Sequence, residues 1–215
     1  MARILILGGT GRVALLLEGL LVAHGHTVTA VLHNPARESE VAATGASPVV
    51  VDMERIDAGQ FENLVSGNDA VVWSAGAGGG DPARTYAVDR DAAIRAIDAA
   101  SAVGVRRFIM MSWMGSRADH GVPEEHFRFP YAEAKWAADE HLRHSGLDWT
   151  ILGPGALTFE EPTGRIQLDA EAGEASRADV AAVIAAALAD DTTIGRTIRF
   201  TNGDVPIAEA ISTRA

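Results

Sequence analysis

The chain contains no cysteine among its 215 residues. This absence excludes a disulfide framework, a thiolate nucleophile and a zinc site built on cysteine ligands. The seven histidines show none of the paired spacings that metal ligands adopt. We therefore expect neither reactive thiols nor a bound metal.

Positive charge is also scarce. Lysine and arginine together number 18 against 29 aspartates and glutamates, which gives a formal net charge of −11. A surface of this sign repels both the backbone of a nucleic acid and an anionic membrane. The expected partner is a small molecule in solution, and neither a nucleic acid nor a membrane.

Long apolar runs are missing as well. The two candidates, "MARILILGG" and "AAVIAAALA", are shorter than the roughly 20 residues that a membrane-spanning helix needs. The start is also too short for a signal peptide, so we expect a cytoplasmic protein. With 47% hydrophobic residues, the chain has enough apolar surface for one compact domain, which we place at residues 1–215.

The chain does contain a regular alternation of short β-branched runs and longer helical stretches. The runs include "ARILILG", "TVTAVLH", "PVVVD", "AVVWSAG" and "RFIMMS", and one of the helical stretches is "RDAAIRAIDAASAVG" at 90–104. The runs are apolar along their whole length, as expected for parallel strands covered by helices on both faces. The pattern predicts an α/β fold with a doubly wound parallel sheet in three α/β/α layers.

Two segments, 113–130 and 155–175, are less regular than the rest. Both follow predicted strands, so we expect them to be loops at the carboxyl edge of the sheet. Open α/β sheets bind their ligands at this edge. The two loops are therefore the expected substrate side of the domain.

A glycine-rich motif, "GGTGRVA", directly follows the first predicted strand and opens an amphipathic helix. In this context Gly8 permits a tight turn, and Gly11 lets the backbone approach a pyrophosphate at the helix amino terminus. The motif places three further residues at that terminus: Thr10, Arg12 and Val13. A structural turn without a ligand is the alternative, but the strand before it and the helix after it favour dinucleotide binding.

The end of the second predicted strand bears on which dinucleotide binds. An acidic residue there would bond the ribose 2′-hydroxyl of NAD. Instead "VLHNPAR" supplies His33, Asn34 and Arg37, with Arg12 nearby in the glycine turn. Because cationic groups favour a 2′-phosphate, we predict NADP(H), with NAD(H) as the alternative cofactor. The other interpretation is that both arginines are solvated surface charges.

Asp52 and Met53 follow the third predicted strand in "VVVDMER". The Asp52 carboxylate could accept a hydrogen bond from the adenine amino group while Met53 packs on the ring. A helix cap at Asp52 would have the same sequence pattern. Both interpretations stay open at this stage.

Tyr131 and Lys135 lie four residues apart in the helical stretch "RFPYAEAKWAADEHL", so they share a helix face. A nearby ammonium lowers the pKa of a phenol. The tyrosine could then exchange a proton with a substrate oxygen while the lysine holds the ribose hydroxyls. A packed tyrosine beside a surface lysine is the alternative, because this spacing is common.

Several motifs occur together in the order typical of one superfamily. They are "GGTGRVA", "VVVD", "VVWSAGAG", "RFIMMSWMGS", "YAEAKWAADEHLRHSGLDWTILGPG" and "ASRADVAAVIAAAL". Over nearly its whole length the chain resembles the short-chain dehydrogenase/reductase superfamily, and most closely its atypical single-domain NAD(P)H-binding members, which are similar to a trimmed nucleotide-sugar epimerase. The resemblance implies a Rossmann-type fold with a minimal substrate-binding region.

The resemblance also implies roles for individual residues. Tyr131 and Lys135 would occupy the catalytic positions. The cofactor would lie against Gly8, Gly11 and Ala14 at the pyrophosphate, Ser74, Ala75 and Gly76 at the adenosine ribose, and Pro154 and Gly155 at the nicotinamide.

The chain departs from the superfamily pattern at two positions. Trp113 stands where a catalytic serine or threonine is usual, which leaves Ser112, Ser116 or Tyr131 alone to polarise a substrate carbonyl. Trp113 would be either a flat wall for a planar substrate or a plug over the cofactor. Gly153 replaces the arginine usually found before the Pro-Gly pair, and so removes one anchor for an anionic substrate.

These observations predict an NADP(H)-dependent oxidoreductase that acts on a small carbonyl, quinone or flavin-like compound. A non-catalytic protein that senses NADPH is the alternative, because Trp113 replaces the usual hydroxyl. A nucleotide-sugar epimerase or dehydratase is the third hypothesis, although the short region after Pro154 leaves little surface for a second nucleotide.

Overall fold

A computed structural model describes residues 1–78 and 80–212. The strands in chain order are β1 (Arg3–Leu7), β2 (Thr27–Leu32), β3 (Ser47–Val50), β4 (Ala70–Trp73), β5 (Arg107–Met111), β6 (Asp148–Pro154), β7 (Ala156–Thr158), β8 (Arg165–Leu168), β9 (Glu174–Ser176), β10 (Arg196–Asn202) and β11 (Val205–Pro206). The α-helices are α1 (Arg12–Ala23), α2 (Glu38–Ala42), α3 (Ala58–Val65), α4 (Pro82–Thr85), α5 (Ala93–Val103), α6 (Phe129–Arg143), α7 (Arg177–Ala189) and α8 (Ile207–Ser212).

The main sheet has nine strands in the order β11-β8-β10-β6-β5-β4-β1-β2-β3. All pairings from β10 to β3 are parallel, and β8 and β11 add an antiparallel edge. The chain order reverses at β1, which has β2 on one side and β4 on the other. Such a switch point opens a crevice at the carboxyl ends of the strands. The predicted doubly wound α/β fold is confirmed.

Both faces of the sheet are covered, which explains why the strand sequences are continuously apolar. Along β1, Ile4 and Ile6 belong to the core beneath α1 and α7, whereas Leu5 and Leu7 belong to the core beneath α3, α5 and α6. From Ile4 to Leu7 the side chains alternate between two cores and are all buried. None of the helices in residues 1–78 and 80–212 is long and apolar enough to cross a membrane.

The segment 155–175 is more regular than the sequence pattern indicates, so the prediction of a loop there is wrong in part. β7 and β9 form a small parallel pair, and β8 pairs with β10 at the antiparallel edge. These strands have three or four residues each and pair with distant segments, so local periodicity does not reveal them. The segment 113–128, by contrast, contains only turns and bends, and α6 begins at Phe129.

The helix after β4 begins earlier than predicted. Asp81 caps α4 by accepting a hydrogen bond from the N–H of Ala83, and a π-helical segment, Tyr86–Ala92, then leads into α5. π-Helical turns are rare and frequently occur at functional sites. This one carries Asp89 into the core, where the residue is 2% exposed and its Oδ2 accepts from the N–H of Ala77 at 2.9 Å.

Glu18 is a fully buried carboxyl group on α1, directly beneath the glycine turn: a methyl group added at Gly9 would lie 3.1 Å from Glu18 Oε1. Burial raises the pKa of Glu18 to about 8, so the group is largely neutral at pH 7. The hydrogen bonds agree, since Thr44 Oγ1 lies 3.1 Å from Glu18 Oε2 and 2.7 Å from the carbonyl of Val41. One hydroxyl proton can serve only one of these contacts, and a protonated Glu18 supplies the other.

We predict that Glu18→Gln stabilises the protein more as the pH rises. A carboxyl group with a raised pKa in the folded state makes folding less favourable as the pH rises from the unfolded value, 4.5, to the folded value of about 8. The amide avoids this loss and can still donate to Thr44. Denaturant unfolding at pH 5, 6, 7 and 8 should show a difference from the wild type that grows toward about 4 kcal/mol. Glu160→Gln, an exposed control, should give parallel curves, and parallel curves for Glu18→Gln would contradict the prediction.

Candidate active site

The glycine turn joins β1 to α1 at the switch point of the sheet. Gly8 has a φ of +100°, and a methyl group added there would lie 2.6 Å from the backbone of Ala75 at the end of β4. Gly11 is the N-cap of α1 and has no side chain to bond the first helical N–H groups. These groups, at the positive end of the helix dipole, are therefore available to an anion such as a pyrophosphate.

A cleft of about 230 Å³ opens beside the turn, at the carboxyl ends of β1, β2 and β4. Most of the residues predicted to contact the adenosine half of the cofactor line it. They are Gly8, Thr10, Gly11, His33, Arg37, Asp52, Met53, Ser74, Ala75 and Gly76, joined by Glu54, Arg84 and Val88. The sequence interpretation missed Arg84, whose position depends on the early start of α4.

Four predicted residues do not line this cleft: Arg12, Val13, Ala14 and Asn34. The guanidinium group of Arg12 stacks on the exposed ring of Phe159 at 4.8 Å, where Arg177 stacks at 4.0 Å. Asn34 Oδ1 accepts a hydrogen bond from the N–H of Ala36 and caps a short turn. Val13 is buried in the core beneath α1. The placement of Arg12 beside the ribose is thus corrected, because an aromatic ring from segment 155–175 holds its charge elsewhere.

Arg37 and His33 do lie in the wall of the cleft, but Arg37 already has a partner. Its Nε and Nη2 donate to the two carboxylate oxygens of Glu40 at 2.7 and 2.6 Å. The bond to Glu40 raises the pKa of Arg37. A 2′-phosphate would therefore compete with Glu40 for this guanidinium group.

Asp52 lines the cleft, and its side chain also stabilises a turn after β3. Its Oδ1 accepts from the N–H of Glu54 at 3.1 Å, and its Oδ2 forms an ion pair with Arg55 at 3.1 Å. These contacts close a turn, whereas the next helix, α3, begins at Ala58 and is capped by Asp57, so Asp52 is not a helix cap. Met53 is 9% exposed and packs at the base of the same cleft.

Lys135 is the only lysine in the chain, and it is buried, with 2% of its surface exposed. Its Nζ donates to the carbonyl oxygen of Met111 at the end of β5 over 2.8 Å. Lysine is almost never fully buried without a compensating partner. Because every other basic side chain apart from histidine is arginine, the single lysine in the sequence indicates that position 135 has a special role.

Tyr131 differs from its expected electrostatic state. Burial, followed by the negative charges of Asp89 and Asp139, raises its pKa, and only Arg128 opposes them. The net shift is opposite to the expected one, and Lys135 is not among the groups that cause it. The Tyr131 hydroxyl has no hydrogen-bond partner within the described part of the chain.

Asp139 continues the helix face that carries Tyr131 and Lys135, and it is fully buried. Its Oδ2 accepts hydrogen bonds from Ser112 Oγ at 2.5 Å and from Ser116 Oγ at 2.6 Å. Burial raises the pKa of Asp139, while Lys135 and the two serines oppose the rise. Both candidate hydroxyls thus donate their protons to Asp139, although Ser112 also lines the smaller cavity, and the prediction of Ser112 as a substrate-polarising residue gains no support from these hydrogen bonds.

The sequence interpretation missed Asp139, although its spacing was informative. Residues 131, 135 and 139 repeat every four positions and so share one helix face. An acidic residue in that register is expected to turn inward with the lysine.

Trp113 separates two cavities at the carboxyl edge. It lines one of about 830 Å³ and another of about 550 Å³, and Tyr131 lines both as well. The two rings lie 6.0 Å apart between centroids and are tilted by 55°. A methyl group added at Gly115 would lie 2.3 Å from the Trp113 ring, so the glycine leaves room for the indole. Trp113 thus lines both cavities, which agrees with either of its two interpretations.

The smaller cavity also contains Pro154 and Gly155, the residues expected beside the nicotinamide. Tyr131, Trp113 and this pair therefore enclose one space. Among residues 1–78 and 80–212, no group of histidines and carboxylates is arranged to hold a metal ion.

The parallel strand order, with the glycine turn at the switch between β1 and β4, places the chain among the Rossmann-type dinucleotide-binding proteins. It belongs to the NAD(P)H-binding family, whose sequence model matches residues 8–191. The resemblance to atypical single-domain short-chain dehydrogenases/reductases is confirmed.

Similar proteins carry different functional names. A Bacillus halodurans structure named as an NAD-dependent epimerase/dehydratase is 35% identical, covers 98% of this chain and 99% of its own, and superposes with a TM-score of 0.89. The oxidoreductase ylbE of Lactococcus lactis is 30% identical over 97% and 94% of the two chains, with a TM-score of 0.86. The Bacillus subtilis protein YhfK, whose name calls it an uncharacterized sugar epimerase, is 34% identical over 97% and 98%.

We predict that Gly8→Ala weakens NADPH binding while an equally strained glycine elsewhere tolerates the same change. Gly25 also has a positive φ, +81°, but an added methyl group there meets nothing within 4 Å. Gly25→Ala should lower the free energy of unfolding by about 1 kcal/mol and leave binding unchanged. Gly8→Ala adds the contact with Ala75 and should weaken binding, measured by calorimetry, by roughly tenfold or more. Equal binding by the two variants would show that the turn does not approach the cofactor.

Proposed function

We propose that the protein is an NADP(H)-dependent oxidoreductase that reduces a small, planar carbonyl, quinone or flavin-like compound. Tyr131 carries this proposal: its hydroxyl is free of partners in the described residues, and its ring lines the space that also contains Trp113, Pro154 and Gly155. An acid beside a flat aromatic wall suits a planar acceptor. The name of the Lactococcus lactis relative, an oxidoreductase, agrees with this function.

The residues present fit a dinucleotide. The approach of Gly8 to Ala75 leaves no room for a side chain, and the uncapped start of α1 suits a pyrophosphate. Met53 and Val88 would pack against the adenine, and Pro154 and Gly155 against the nicotinamide. When bound, the reduced nicotinamide supplies a hydride.

The electrostatics of Tyr131 favour reduction. Its pKa lies above the ordinary value of 10, so the phenol is protonated at neutral pH and has the proton that a reduction requires. It would donate its proton to the substrate oxygen, and the charge of Arg128 would stabilise the resulting phenolate. The Lys135 ammonium has three protons, so it can keep its bond to Met111 and also donate to a ribose hydroxyl.

The preference for NADP(H) over NAD(H) rests on Arg37 and His33 at the end of β2. Asp52 and Glu54 line the same cleft, but Asp52 is bonded to Arg55 and to backbone, and Glu54 is paired with Arg84. Arg37 is the cation best placed to exchange a carboxylate partner for a 2′-phosphate.

We predict that Arg37→Met weakens NADPH binding roughly tenfold, the expected effect of losing a charge-assisted contact, and leaves NADH binding unchanged. Glu40→Gln should have the opposite effect on NADPH, because it releases Arg37 from its ion pair. Calorimetric titrations of both cofactors into each variant measure these changes. If both cofactors lose affinity equally in Arg37→Met, the residue does not read the 2′-position.

One observation favours a second function, a non-catalytic NADPH sensor. Ser112 lines the smaller cavity, but both Ser112 and Ser116 donate their hydroxyl protons to Asp139, so neither proton is free to polarise a substrate carbonyl. An enzyme of this design relies on Tyr131 alone for polarisation. Epimerase or dehydratase activity, the function named for two relatives, has no such observation in its favour.

Tyr131→Phe separates the enzyme from the sensor. NADPH oxidation would be followed with quinones, flavins and aldehydes as acceptors, and the variant should lose about 100-fold in kcat while NADPH binding is kept. Tyr86→Phe is the matched control, because Tyr86 is the other tyrosine and its ring lies under Arg90, outside both cavities. A wild type that binds NADPH tightly but reduces no acceptor in the panel would support the sensor.

A further inference from the structure

Arg199 takes the space that a side chain at position 153 would occupy. The two residues are register partners on the neighbouring parallel strands β10 and β6. A methyl group added at Gly153 would lie 3.3 Å from Arg199 Cγ and 3.1 Å from the carbonyl oxygen of Trp113. The arginine stem therefore crosses Gly153 toward the carboxyl edge of the sheet.

This path brings Arg199 into the smaller cavity, which Trp113 and Tyr131 also line. Its Nη2 donates to the carbonyl oxygen of Ser116 at 3.1 Å, which fixes one end of the guanidinium group. A guanidinium group has five N–H donors. This single bond leaves donors for a ligand.

Two further arginines, Arg117 and Arg128, line the same cavity. None of the ion pairs found within residues 1–78 and 80–212 involves these two or Arg199. Glu171 is the one carboxylate among the lining residues. In a chain with a net charge of −11, three arginines without acidic partners around one cavity are an unusual concentration of positive charge.

We propose that this cavity is a subsite for a carboxylate, with Arg199 as its principal anchor, and that the substrate is a planar carbonyl compound carrying that carboxylate. The ring would lie against Trp113 and the carbonyl near Tyr131. Guanidinium groups bind carboxylates through paired N–H donors, which gives orientation as well as affinity. The inference rests on the proposed function, because it concerns the cleft that contains Tyr131.

The test is a direct binding measurement that needs no turnover. 2-Naphthoate and 2-naphthamide have the same ring system and differ in charge, and calorimetry would measure the affinity of each for the full-length protein. The wild type should bind the naphthoate about tenfold or more tightly than the amide, as expected for a charge-assisted contact. Arg199→Met keeps the stem over Gly153 and should abolish this preference, and Arg199→Lys should retain part of it.

Arg3→Met is the control, because it removes one positive charge from an exposed ion pair outside the cavity and should leave the preference intact. Thermal unfolding of each variant verifies that it is folded. Equal affinities of the wild type for the two probes, or an equal loss in Arg199→Met and Arg3→Met, would overturn the subsite. If the protein prefers the naphthoate but oxidises no NADPH with any acceptor, the subsite stands and the proposed function fails. If it oxidises NADPH but binds both probes equally, the proposed function stands and the subsite fails.

Discussion

The burial of one ammonium group, that of Lys135, constrains most of the candidate site. A charged lysine in the protein interior is stable only when opposite charge and hydrogen bonds replace its hydration. The carbonyl of Met111 supplies the hydrogen bond, and Asp89 and Asp139 supply the negative charge. These residues come from β5, the π-helical segment and α6, so the lysine ties three elements together.

The position of the hydroxyl groups follows from the same constraint. Asp139 needs donors as well as a cation, and it takes them from Ser112 and Ser116 at the end of β5. Trp113 lies between the two serines in the chain and lines both cavities. Position 113, where the resembled superfamily usually has a serine or threonine, therefore carries a tryptophan beside two serines that are bonded to Asp139.

The parts of the site that the sequence predicted are those encoded locally. The glycine turn, the strand before it and the helix after it are consecutive in the chain, so spacing and residue type suffice to place Gly8, Gly11 and the cleft beside them. The core is predictable for a similar reason, since uninterrupted apolar runs require two covered faces. The fold as a whole was therefore predictable from the alternation of apolar strands and helices in the sequence.

The parts that the sequence did not predict depend on distant partners. The stacking of Arg12 on Phe159 joins residues 147 positions apart in number, and the strands β7, β8 and β9 exist through pairing with one another or with β10. The raised pKa of Tyr131 reflects its burial and then the charges of Asp89 and Asp139, which lie on two different helical segments. Local spacing describes which face a residue occupies, but not which charges the completed fold brings to that face.

Arg199 and Gly153 are register partners on β10 and β6, and the Arg199 stem lies beside the space that a side chain at position 153 would occupy. Neighbouring parallel strands present register partners on the same side of the sheet, so either strand can supply the side chain that fills a given space above it. On β6, Gly153 stands where the resembled superfamily usually has an arginine. The smaller cavity nevertheless contains a guanidinium group, which Arg199 supplies from β10. The functional residues of such sheets are therefore better compared by their position in space than by their position in the chain. The effect of a substitution at one register partner depends on the residue at the other.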